Sequence, residues 1–223
     1  MDSTFLARME QILALYALPY SEKYPVVCFD ERPCFLIGET VAGLSMKAGS
    51  PKREHYAYQK NGSCALLMAI EPKTATREAQ VFARRTKQEY ALFMKELAAR
   101  YPQAEKIRVV QDNLNTHTTS SFYETFSAEE AFALSQRFEF YYTPKSASWL
   151  NMIEIELSAL SKQCLNRRIA SKDELSREVL AIVKEREEKA IKIDWQFSIE
   201  SAREKLNRHY RDVNTDNAQY LKT

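Results

Sequence analysis

Residues 106–117 read KIRVVQDNLNTH. Ile107, Val109 and Val110 lead into Asp112 and then into an Asn-rich turn, the pattern of a buried strand that ends in acid. Residues 24–32, YPVVCFDER, repeat it: Val26, Val27, Cys28 and Phe29 form an apolar run entered after Pro25, and Asp30 is predicted at the C-terminal end of that strand. A further strand, FEFYYTP at 138–144, is stopped by Pro144, and the stretch after it, WLNMIEIELSALSKQCL at 149–165, reads as one helix with Glu154 in its first turns.

The flanking sequence fills in the frame. EHYAYQKNGSCALLMAIEP, residues 54–72, predicts a hairpin centred on Asn61-Gly62, between a polar-aromatic strand and an apolar one. Residues 40–55 read as a basic loop. Helical spacing appears over 4–18, 87–101, 119–137 (one or two helices), 171–190 and 198–210, with Ser171 and Glu174 forming a capping-box pattern. A hairpin combined with crossover helices predicts an α/β fold with a mixed five-stranded sheet flanked by helices, and extra helices at the C-terminus. The expected division is a connector helix over 1–20, a main domain over 21–212 and a tail over 213–223.

In open α/β sheets functional groups gather at the carboxyl ends of strands. Asp30, Asp112 and Glu154 meeting there would make an all-oxygen pocket, suited to Mg²⁺ or Mn²⁺. Two such ions, about 3.5–4 Å apart, can activate a water or hydroxyl and stabilise the leaving oxygen in phosphodiester cleavage. Acids at strand ends also simply start turns. Periodicity leaves Glu156 as a rival to Glu154, because the two flank the same apolar stripe of Leu150, Ile153, Leu157, Leu160 and Cys164 on opposite sides.

The wording around the acids goes further. CFDE at 28–31, VVQDNLNTH at 109–117 and YTPKSASWLNMIE at 142–154 resemble the DDE transposases of bacterial insertion sequences in the mariner-like superfamily, most closely the insertion sequence 630 family. The resemblance runs over about residues 5–210. It implies a ribonuclease-H-like fold and DNA cleavage and strand transfer with two Mg²⁺ or Mn²⁺ ions. The catalytic and metal-holding triad it implies is Asp30, Asp112 and Glu154, with Glu154 rather than Glu156 matching the family glutamate. Glu156 is then expected to be a surface carboxylate of little consequence. Supporting roles fall to Glu31, which strand alternation points away from Asp30, and to Asn113, Asn115, His117 and Asn151. His117 is read as a support for Asp112, and Trp149 as a packing anchor under the catalytic helix.

Double-stranded DNA is the partner this implies, at transposon ends and target. Basic residues that could follow its phosphates are Lys47, Lys52, Arg53, Arg84, Arg85, Lys87, Lys145, Lys162, Arg167 and Arg168, each equally at home on a solvated surface. Only one short helix precedes Asp30, so a helix-turn-helix module is expected on a separate partner or a missing N-terminal half. A homodimer is one expected assembly. Two other functions compete: a ribonuclease-H-like nuclease without strand transfer, and a domesticated or truncated remnant that binds DNA or a partner without cutting.

Composition narrows the class without deciding it. In 223 residues, 32 Lys+Arg against 30 Asp+Glu give a net charge of +2, so any polyanion must be met by local charge. The apolar runs are too short to span a membrane and the N-terminus lacks a secretory pattern. The four cysteines form no CxxC pair, which speaks against structural zinc and for reduced, buried side chains in a cytoplasmic protein.

Overall fold

The computed structural model describes residues 1–41, 47, 49 and 56–220. The predicted Lys52 and Arg53 lie outside them. The described strands are β1 (Val26–Glu39), β2 (Tyr58–Ile70), β3 (Arg77–Phe82), β4 (Ile107–Gln111) and β5 (Phe138–Tyr142), ordered β3-β2-β1-β4-β5 in one sheet. β1, β2 and β3 pair antiparallel, while β1, β4 and β5 run parallel. This is the mixed, ribonuclease-H-like sheet.

The strand make-up corrects the sequence reading in three places. Asn61-Gly62 is not a turn: β2 runs through it, with Leu36 opposite Gly62 and a register shift at Leu36/Ile37. Gly62 has φ +108, so its glycine serves an irregular ladder position instead of a hairpin tip. β3 was not foreseen, because REAQVF carries polar residues at alternate positions. And β1 does not stop at Asp30 but continues for nine residues to Glu39, through Pro33, held by β2.

Helices cover both faces. The alternation of β1 divides the core: Cys28 packs with Val110, Met68, Ile70 and helix α5 (Ile153–Leu160), whereas Val27 and Phe29 pack with Leu67, Val109 and helix α2 (Lys87–Ala99). The first face also carries α1 (Ser3–Ala17), capped by Asp2, and α6 (Lys172–Glu188), capped by Ser171. The second carries α3 (Ser120–Tyr123) and α4 (Ala128–Ser135). Near the C-terminus α7 (Ile199–Lys205) and α8 (Asn207–Val213) pack against α1. Among the described residues no helix is long and apolar enough to cross a membrane.

The stretch 149–165 is not a single helix. Ser148–Leu150 is a 3-10 turn, α5 starts at Ile153, and Ser161–Leu165 continues as a π-helical turn. Trp149 is 42% exposed, edge-on to Phe197, so the anchor under this segment is the buried Leu150.

Glu156 is the largest departure. It is fully buried, not a surface group. Its Oε1 and Oε2 accept from Arg77 Nε and Nη2 at 2.8 and 3.1 Å, and from Arg186 Nε and Nη2 at 2.7 and 3.0 Å. Arg77 also donates to the carbonyls of Ala75 and Ile191. A buried charge persists only when paired and hydrogen-bonded, and two bidentate forks do this for Glu156. The network ties α5 to β3 and α6. Burial alone would raise the Glu156 carboxyl, but the two guanidiniums hold it below its usual value of 4.5.

Glu156→Gln strips the charge from a buried triad and is expected to lower unfolding free energy by about 3–5 kcal/mol in urea at pH 7. Glu139→Gln, in the more exposed pair with Arg108, is expected to cost less than about 1 kcal/mol. Since the folded Glu156 carboxyl is depressed, its contribution is complete above pH 4.5 and is lost as pH falls through the depressed value. The gap between wild type and Glu156→Gln should therefore close in acid.

Candidate active site

The parallel pairing of β1 and β4 fixes the site. Val26 stands beside Arg108, Val27 beside Val109 and Cys28 beside Val110. Two residues further along each chain come Asp30 and Asp112. They share the parity of Cys28 and Val110, and so belong to the face on which α5 packs. Asp30 is half-buried and its Oδ1 accepts from the Glu31 amide at 2.7 Å.

Glu154 lies in the first turn of α5, half-buried, with its amide donating to the Asn151 carbonyl. Asn151 is buried and its Nδ2 donates to the Phe29 carbonyl at 2.8 Å. One side chain thereby ties the entry to α5 to the backbone next to Asp30. Glu154 and Glu156 are two residues, or about 200°, apart on a helix. With Glu156 turned to the arginines, Glu154 faces elsewhere, and its charge is felt at Asp30.

The Asp30 carboxyl is pushed up to about 7, first by burial, then by the charges of Asp112 and Glu154, against the pull of the Glu31 amide and His117. Two further carboxylates therefore act on Asp30 beyond the end of the β1–β4 ladder. His117 is fully buried behind Asp112: its Nδ1 lies 2.5 Å from Asp112 Oδ1 and its Nε2 3.4 Å from Glu31 Oε2. Burial disfavours its charged form, but the two carboxylates prevail and hold it at about 9. Its ring stacks on Tyr90 and meets Phe29 edge-on. Glu31 also pairs with Arg85 at 2.7 Å.

The remaining predicted residues scatter. Asn113 and Asn115 are exposed, in the segment after β4. Lys87 pairs with Glu124 and Arg167 with Glu178, while Arg168 donates to the Ala57 carbonyl and lies over the Tyr58 ring. Lys47, Arg84, Lys145 and Lys162 are exposed.

The model of the DDE superfamily endonuclease family matches residues 25–176, more than half of the chain. The chain belongs to the DDE superfamily of endonucleases. Its fold is similar to that of the Mos1 mariner paired end complex with Mn, at 13% identity and a TM-score of 0.53, over 100% of this chain and 65% of that one. It is also similar to the Mos1 strand transfer complex, at 13% identity and a TM-score of 0.57, over 97% and 62%. The Mos1 paired end complex with Mg matches at 11% identity and a TM-score of 0.54, over 100% and 65%. The chain thus spans less than two thirds of the length of these structures. No curated protein matches it.

In this member of the DDE endonuclease superfamily the candidate ligand atoms of Asp30, Asp112 and Glu154 are all carboxylate oxygens, the type that hard divalent cations take. Asp30 is raised first by burial and then by neighbouring carboxylates, and a bound cation favours the ionised form against both. Among the described residues no three His, Cys, Asp or Glu side chains are grouped to hold a metal ion. Asp112 is engaged with His117 instead. The residues fit a metal by donor chemistry and by charge.

Sequence reasoning missed Arg77 and Arg186, and it read Arg85 as a DNA contact without its pairing to Glu31. A partial signal for the first pair did exist: two glutamates flank the apolar stripe of α5, and one that is buried requires a cation.

Asp30 and His117 both have folded-state pKa values above their ordinary ones, so each contributes stability that is present at low pH and lost as pH rises through about 7 and about 9, respectively. Metal-free protein is expected to unfold at a lower temperature at pH 9.5 than at pH 5.5. Asp30→Asn should stabilise the metal-free protein at pH 8 by about 1–3 kcal/mol and remove the part of the slope that lies below about pH 7, between the ordinary and the raised carboxyl values. Thermal unfolding across that range, with and without EDTA, is the measurement.

Proposed function

We propose that this chain carries the catalytic activity of an insertion-sequence DNA transposase: divalent-metal-dependent cleavage of DNA phosphodiesters and transfer of the cut strand. Asp30, Asp112 and Glu154 are the catalytic and metal-holding residues, taking two Mg²⁺ or Mn²⁺ ions. The observation that carries the reading is Asp30, half-buried just past the β1–β4 ladder and raised first by burial and then by the charges of Asp112 and Glu154, in a member of the DDE endonuclease superfamily. The Mos1 relatives of this fold are a strand transfer complex and paired end complexes with Mn and with Mg, which supports DNA as substrate and a paired assembly.

When bound, divalent ions at these carboxylates supply a more acidic attacking water or hydroxyl and offset the charge developing on the leaving oxygen. The chain's own residues prepare for this. Asp30 gives up the proton it holds near neutral pH. His117, held charged between Asp112 and Glu31, orients Asp112 without competing for the phosphate. Asn151 keeps the entry to Glu154's helix against the strand of Asp30, and Arg77 and Arg186 hold that helix from its other side. Exposed cations around the site, Arg84 and Lys145 among them, meet the phosphates of double-stranded DNA. Sequence-specific end recognition comes from a helix-turn-helix partner or segment, and two copies act together on paired ends.

The test is Mg²⁺-dependent cleavage of DNA carrying the element's ends, with the DNA-binding segment supplied in cis or in trans. Glu154→Gln preserves size and helix propensity and is expected to reduce cleavage at least about 1,000-fold, or about 4 kcal/mol, with unfolding temperature and DNA binding retained. Cleavage by Glu154→Gln at the wild-type rate would hand the chain to the non-cutting remnant reading.

A further inference from the structure

Next to Asp112 a cleft of about 400 Å³ opens between the loop after β5 and the start of α1. Arg8 of α1 and Lys145 of the loop line it, with Asp112 and Asn113 on the side of β4. An adjoining hollow of about 250 Å³ shares Arg8, Pro144 and Lys145 and leads towards Asp2, Thr4 and Phe5, with the Asp2 carboxylate turned to the Phe5 amide as the cap of α1, so both spaces are bordered by the same two cations. Both are exposed, and neither forms an ion pair among the described residues, in contrast to Arg85, Lys87 and Arg167. Two unneutralised cations flanking a carboxylate of the acidic centre call for an anion that occupies the groove.

The loop is built for a fixed shape. Ala147 donates its amide to the Pro144 carbonyl at 3.1 Å, and Thr143 donates to the Gln111 carbonyl at 2.9 Å. Ser146, on the cleft wall, has φ +61, a left-handed conformation that costs a non-glycine residue energy and persists only when its surroundings impose it. Ala147 is buried against Leu6, Met9 and Leu150, which locks the loop to the helix bearing Arg8.

We infer that this groove seats the sugar-phosphate backbone of the DNA strand adjoining the scissile bond, with Arg8 and Lys145 as its phosphate-binding cations. The inference rests on the reading of Asp30, Asp112 and Glu154 as the cleavage site, and it adds Arg8, which no sequence motif singled out. It gives α1 a function beyond packing: its buried side, with Leu6, Met9 and Leu13, docks on the core while Arg8 looks into the groove.

Binding without cleavage tests it. Affinity of the full chain for a 30-base-pair mixed-sequence duplex is measured in EDTA between 50 and 200 mM salt. Arg8→Ala and Lys145→Ala are each expected to reduce affinity about eightfold at 0.1 M salt and to lower the slope of log affinity against log salt by about 0.9, the value of one phosphate contact. The double variant should lower it by about twice that, and Arg8→Lys should restore most of it. Arg177→Ala, 72% exposed on α6, is the control and should change neither quantity. Wild-type affinity and slope in both single variants would overturn the inference, as would an equal loss in Arg177→Ala, which would mean diffuse charge. Glu154→Gln is assayed for cleavage in parallel. Its failure to lose activity would count against the cleavage site, while a loss of binding in Arg8→Ala would still establish the groove.

Discussion

Three residue pairs, Val26 with Arg108, Val27 with Val109 and Cys28 with Val110, join the antiparallel half of the sheet to the parallel half. Everything else in the molecule is arranged around that short seam. It sets β1 and β4 in a register that brings Asp30 and Asp112 out side by side where the shared ladder ends. A slip of one residue would send one of the two aspartates to the opposite face. The seam can be short because it is buried on both faces: Val27, Cys28, Val109 and Val110 have no exposed surface.

The site opposes the fold that carries it. Gathering three carboxylates at a half-buried edge raises Asp30 by burial and by repulsion, a cost to the metal-free protein. The two arginines of the buried triad are kept apart from the acids at the strand ends. Arg77 and Arg186 are spent on Glu156, two residues from Glu154 but on the other side of α5, so they hold the helix without neutralising the acid beside Asp30. His117 lies between Asp112 and Glu31, a single cation shared by two acids. Stability and negative potential are thereby provided by different residues of the same short segments.

Much of this was legible in the sequence, and the failures have physical causes. The apolar runs before Asp30 and Asp112 were strong signals because buried parallel strands need continuous hydrophobicity. The helices at 3–17 and 87–99 carried both spacing and caps. The hairpin failed because Asn-Gly is the usual turn pair, and only pairing with β1 tells a turn from a bulge. β3 failed because an edge strand with one buried side lacks a continuous apolar run. Glu156 could not be separated from Glu154 by periodicity, since both flank the apolar stripe; what separates them is which flank meets arginine, a fact of tertiary packing. The motif wording favoured Glu154, and the structure turns Glu156 to a different task.

β1 continues past the seam to Glu39 with β2 on one side and, among the described residues, no strand pairing on the other. A long unpaired edge is where a foreign strand would add and seed aggregation. Here Pro33 offers no donor, the Glu31 amide is taken by Asp30, and the Ile37 amide by the Ile169 carbonyl at 2.8 Å. The strand is thus closed to outside pairing at three points along its free edge. The chain can hold its acidic site at the border of a sheet without offering that border to neighbouring molecules.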